Sequence, residues 1–144
     1  MSVLHIDPGG GGVLFDVRPE SPIPIYEQIV TQVIFGVASG VLKVGEMIPS
    51  VRDLGQRLVV HPNPVARAFQ ELERMGVVAA RRGKGMEVTP EAPALCRGRR
   101  QEIVRGRIRD ALREAVSSEL SPEDIRRLVD EELRRVHGQG NGRS

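Results

Sequence analysis

At 144 residues and 15.8 kDa, the chain has room for one compact domain and an appendage, and is too short to join a small domain to a full enzyme. Aromatic residues make up 3% and tryptophan is absent, so the core must be built from Val, Leu, Ile and Ala, which suits a small helical protein. The formal charge of +2 is too small to identify a partner, so the placement of the charge has to carry that argument.

The first two dozen residues hold Pro8, glycines from Gly9 to Gly12, then Pro19, Pro22 and Pro24. They predict a flexible arm over 1–21 with one short extended stretch at 13–17. Regular structure begins in PIYEQIVTQVIFGVASG, where Ile25, Ile29, Val33 and Val37 recur every four residues with Tyr26, Val30 and Ile34 beside them. That is an amphipathic helix, ended by Gly40. After the turn KVGEMIP, Ser50 is placed as an N-cap with Asp53 three residues on, opening a short second helix that turns Val51, Leu54 and Leu58 inward.

A third helix follows HPNP. Asn63 is expected as its cap and Pro64 as its first residue, with Val65, Phe69, Leu72 and Met75 buried and Gly76 as the stop. Two short extended runs, 77–81 and 86–89, flank a four-residue turn with two glycines, which predicts a β-hairpin with Arg81, Arg82 and Lys84 at its tip. Beyond Pro93 a long helix is expected over 95–116, with Val104, Ile108, Ala111, Leu112 and Ala115 on one side. The last helix is opened by Ser121 and Pro122, with Glu123 and Asp124 in its first turn, and turns Ile125, Leu128, Val129 and Leu133 inward. Gly138 is expected to close it.

Helix, helix, tight turn, helix and basic-tipped hairpin is the order of a winged helix-turn-helix, whose third helix enters the DNA major groove. Residues 43–90 carry eight basic against five acidic side chains, whereas the tail is nearly balanced. Arg67, Gln70 or Glu71, and Arg74 lie opposite the buried stripe of the third helix. Arg67 suits a guanine edge or a phosphate, and Gln70 suits adenine. Arg67 and Arg74 pairing with Glu71 on a solvated surface is the simpler structural account. Arg52 stands at a helix start, where a cation is mildly unfavourable unless it meets an external anion. Gly83 and Gly85 allow close approach at the hairpin tip.

PIYEQI, GEMIPSVRDLGQRL and NPVARAFQELERMGVVAARRGKG together resemble the DNA-binding domain of the GntR family of bacterial transcription regulators, and most of all its YtrA-type subfamily. The likeness covers about residues 22–90. It implies a DNA-binding dimer, usually a repressor, with a C-terminal helical region for dimerisation. By position it implicates Ser50, Arg52, the helix start from His61 through Asn63 and Pro64 to Ala66, and Gly83 with its neighbours. The chain departs from the family at Pro62 and Ala66, where arginine is frequent, at Pro64, which replaces a threonine, and at Met86 and Glu87, where Thr and Phe are usual.

The expectation is a mainly α protein with a small β-hairpin: an arm over 1–21, a winged helix-turn-helix domain over 22–90, and a two-helix dimerisation region over 91–144. In that region Val104, Ile108, Leu112, Ile125, Leu128 and Leu133 would be buried between two copies. The expected function is repression from a near-palindromic operator on double-stranded DNA. A winged-helix module that docks a protein through the hairpin, Met86 and Glu87 included, is the alternative.

A small-molecule effector is left open. No cofactor or metal is expected, because His5, His61 and His137 are far apart, and Cys96 reads as packing. RRGKG lacks the context of a phosphate loop, and no catalytic constellation is visible. A single cysteine, no leader-like N-terminus and no membrane-length apolar run predict a cytoplasmic location.

Overall fold

The computed structural model describes residues 5–6, 13–58 and 60–141. Its elements in chain order are β1 (His5–Ile6), β2 (Val13–Leu14), α1 (Ile25–Ser39), β3 (Met47–Ile48), α2 (Val51–Leu58), α3 (Pro62–Met75), β4 (Val78–Arg81), β5 (Gly85–Val88), α4 (Ala92–Ser117) and α5 (Pro122–Asn141). They divide into two compact units, 1–101 and 102–144, with α4 running from the first into the second.

In the first unit α1 lies against α3, and α2 packs on α3 as well. The predicted stripes form the core: Ile29, Val33, Ile34 and Val37 from α1, Leu54 from α2, and Val65, Ala68, Phe69 and Leu72 from α3 are all buried. Val77, Val78 and Val88 close it from the sheet, and Ala92 and Cys96 from the start of α4. Gly76 ends α3 at φ 85°, where a side chain would be strained, and its N–H donates to the carbonyls of Leu72 and Glu73. The hydroxyls of Ser50 and Ser121 cap α2 and α5, accepting from the N–H groups of Asp53 and Asp124 at 3.1 Å each. These folds follow the predicted order, and the architecture is a winged helix.

Four features differ from expectation. A third strand, β3, pairs antiparallel with β5 in the order β3-β5-β4, with Ile48 opposite Met86. At two residues it is too short to show a period, and only the strand already in place beside it makes it a strand. The hairpin loop holds three residues, 82–84, because Arg81 pairs with Gly85 and the Lys84 N–H closes the turn on the Arg81 carbonyl at 2.9 Å. Helix α4 begins at Ala92, since Pro93 in a first turn needs no intrahelical N–H partner, and α5 runs through Gly138 to Asn141.

The fourth is the arm. Residues 15–18, expected to belong to a flexible segment, are tied to α1. Phe15 is buried, and the side-chain amides of Gln32 and Gln28 act as a substitute strand edge. Gln32 accepts from the Asp16 N–H at 2.9 Å and donates to the Asp16 carbonyl at 2.6 Å. Gln28 does the same for Arg18, at 2.8 and 2.9 Å, and also reaches the Ile23 carbonyl. Both glutamines sit on the buried side of α1, and the oxygen and nitrogen of each amide have a hydrogen-bond partner there. Gln32→Leu should cost about 1–3 kcal/mol in a urea titration, because it strands both partners at Asp16, and should accelerate amide exchange at 15–18.

In the second unit, α4 turns at Ser118–Leu120 into α5, with Glu119 in the left-handed conformation at φ 66°. Among the described residues of α5 none is fully buried.

Candidate nucleic-acid interface

The HPNP stretch folds differently from its predicted form. His61, not Asn63, is the N-cap of α3, and Pro62, not Pro64, is its first residue. His61 at φ −61°, ψ 143° has the extended backbone that a cap requires and that suits a residue before proline, while Asn63, which also precedes a proline, lies inside the helix. Its Nδ1 accepts from the Asn63 N–H at 3.2 Å, leaving the ring proton on Nε2. Both prolines then fall in the first turn, where helical N–H groups have no intrahelical partner.

The chemical result is specific. Pro62 and Pro64 carry no N–H, and that of Asn63 is taken by His61, so the helix start offers a partner no free backbone donor across 62–64. Backbone anion binding of the usual helix-start kind is closed here. Contact falls to side chains: His61, Pro62 and Asn63 are exposed, and Pro64 is half-buried.

Ser50 and Arg52 are positioned by α2. Ser50 is spent on the cap, while Arg52 is exposed and has no ion pair among the described residues. Arg52 and Pro62 meet at one open cavity of about 750 Å³, lined also by Val51, Gly55, Gln56 and Val60. The α2–α3 turn thus joins a cation to an apolar wall beside the start of α3.

Farther along α3, Arg67 stacks its guanidinium over the Tyr26 ring, 3.8 Å from the centroid, and Gln70 is exposed. Arg74 follows the simpler account. It chelates Glu71 through Nε, at 3.1 Å, and Nη2. That hydrogen bonding, with the nearby charges of Arg74, Arg99 and Arg67, holds the Glu71 carboxyl below its usual range.

At the wing, Gly83 and Gly85 adopt φ 76° and 106°, which closes the three-residue loop. The three-cation tip is reduced to two. Arg81 pairs across the hairpin with Glu87, whose register places it on the neighbouring strand, and Arg82 and Lys84 stay exposed without ion pairs among the described residues. No hydrogen bond or ion pair links the wing candidates to those of α3 among the described residues. Tyr26 is the site residue that the sequence reading left in the helix stripe. An aromatic at the edge of that stripe was the available signal.

Cys96 is fully buried, and burial pushes its thiol up to about 11, so it remains protonated at neutral pH. Among the described residues no group of His, Cys, Asp and Glu could hold a metal ion, and no helix is long and apolar enough to cross a membrane.

In the second unit, Val104, Ile108, Leu112, Leu128 and Leu133 are exposed and Ile125 is half-buried. A shallow cavity of about 470 Å³ is lined by Leu112, Val116, Pro122, Ile125 and Val129, with Arg126 and Asp130 beside them. The side chains expected to be inward are therefore an open apolar surface in the single chain.

Residues 25–88 match the family described as bacterial regulatory proteins, gntR family. The gntR-family likeness covers the winged-helix part of the chain, from α1 to β5. It is 38% identical over 79 residues to the HTH-type transcriptional repressor YtrA of Bacillus subtilis, a match covering 55% of this chain and 61% of that protein. The chain thus spans about three fifths of the length of that repressor, and less of several other curated relatives.

Among solved structures, a transcriptional antiterminator from Listeria monocytogenes is similar at 34% identity and TM-score 0.62, covering 83% of this chain and 90% of that one. YtrA from Sulfolobus acidocaldarius, a GntR-family transcription factor, is similar at 25% identity and TM-score 0.51, covering 85% and 99%. Within the gntR family, the likeness is to the YtrA type.

Proposed function

We propose that this chain is a sequence-specific DNA-binding transcription regulator that represses from a near-palindromic operator as a homodimer. The observation that carries the reading is the exposed cations Arg52, Arg82 and Lys84, without ion pairs among the described residues, beside a helix whose start presents only side chains. Arg52 and the wing pair grip phosphate, while His61, Asn63, Arg67 and Gln70 face base edges. With both prolines in place, the first turn has little freedom left to lose on binding.

The DNA-binding part is residues 22–90, supported by the first turns of α4. Residues 91–144 supply the dimer through Val104, Ile108, Leu112, Ile125, Leu128 and Leu133. Support for this comes from α5, where Leu128, Val129, Leu133 and Val136 are exposed in one chain. A helix with an apolar stripe and no packing partner is marginal in water, and a second copy supplies the missing face.

The competing reading, a protein-docking hairpin built on Met86 and Glu87, is less well supported. Both residues are half-buried, Glu87 is held by Arg81, and Met86 lies opposite Ile48. In vitro selection from a random duplex pool decides between them. The expected product is a near-palindrome whose half-sites lie about 10 base pairs apart, one turn of the duplex. A pool that returns no consensus overturns the regulator reading and leaves the docking module.

A further inference from the structure

We propose that Tyr26, in the first turn of α1, is a positioning residue that holds Arg67 ready for DNA; this rests on the reading that α3 meets the duplex. The guanidinium of Arg67 lies 3.8 Å from the centre of the Tyr26 ring, and the ring is half-buried between α1 and solvent while the arginine is exposed.

The local competition for Arg67 explains why an aromatic ring is used. Glu71 is four residues along the same helix face and is the natural partner for Arg67. Its carboxylate is already occupied by Nε and Nη2 of Arg74. A carboxylate partner would have neutralised the charge that DNA requires. The ring instead takes the flat face of the guanidinium and leaves its charge intact. The five N–H donors lie in the guanidinium plane, so a stacked arginine keeps its edge open for a bidentate contact to a base or phosphate. A free arginine surrenders several rotatable bonds on binding, and the stack has already restricted them. Tyr26 therefore acts through Arg67 without touching the duplex.

The test uses the full chain, a duplex recovered by the wild-type chain from a random pool, and a scrambled duplex of equal length, read by fluorescence anisotropy. Tyr26→Phe keeps the ring and should bind within about twofold of wild type. Tyr26→Leu should weaken the selected duplex by about two- to fivefold, the range expected of an exposed cation–π contact, and reduce its margin over the scrambled duplex. Arg67→Lys changes only an exposed side chain and keeps the charge but loses both the planar stack and the bidentate edge, so it should weaken binding at least as much as Tyr26→Leu. The double variant should be no weaker than Arg67→Lys alone.

Multiplying losses in the double variant, or a Tyr26→Leu chain that binds like wild type while Arg67→Ala does not, overturns the positioning role. An Arg67→Ala chain that binds like wild type overturns both that role and the placement of Arg67 against DNA.

Discussion

Replacing Ile108 and Leu112 together by aspartate should convert the proposed dimer to monomers and lower affinity for the selected duplex by about 10²–10⁴-fold. Both residues lie on α4 in the second unit, and in the single chain Ile108 is 55% and Leu112 38% exposed, so the change disturbs no core of the isolated chain. Opposite a second copy, however, the two carboxylates would be driven into an apolar seam, where an unpaired charge is costly enough to prevent association. Each DNA-binding unit would then hold only one half-site. The second contact would no longer be intramolecular, and its effective concentration would fall to that of free protein. Sedimentation at micromolar concentration reads the assembly, and anisotropy reads the affinity. A double variant that sediments as a dimer, or a monomer that binds as tightly as wild type, rules out the proposed role of the tail.

The second large effect is that of salt. Six phosphate contacts in a dimer, from Arg52, Arg82 and Lys84 of each copy, should make wild-type affinity fall about 10³-fold between 50 and 200 mM salt. The triple change of these residues to alanine should flatten that dependence and weaken all duplexes alike, since phosphate contacts carry no sequence information. Arg81→Ala is the internal comparison. Its charge is already engaged by Glu87 across the hairpin, so it should alter the slope less than Lys84→Ala. An unchanged slope in the triple variant would show that these cations do not face the duplex.

Much of this site was legible from local sequence because its signals are local. The hydroxyl caps at Ser50 and Ser121, the glycine stop at Gly76 and the four-residue apolar recurrence in α1 each act within one turn of backbone, and each is found where the pattern placed it. The helix start at HPNP was misplaced by two residues. His61 and Asn63 both precede a proline, so that bias does not choose between them; the bond from the Asn63 N–H to the His61 ring, which marks the cap, appears only in the folded turn.

Other features depend on residues distant in sequence. The Gln28 and Gln32 amides look like ordinary polar positions until the 15–18 segment is laid beside them. The pairing of Arg81 with Glu87 removes one of three apparent wing charges, and it requires the hairpin register.

By itself, then, the sequence determined the helices, the serine caps of α2 and α5 and the basic hairpin, because hydrogen bonds and side-chain periodicity within a turn do not need the rest of the chain. Tertiary structure alone decided which charges stay available. Charge neutralisation and stacking act through space, so only the packing of α1 on α3 and the pairing of β4 with β5 could assign Tyr26 to Arg67 and Glu87 to Arg81, whereas the Arg74–Glu71 pair lies within one helical turn and was open to local reading.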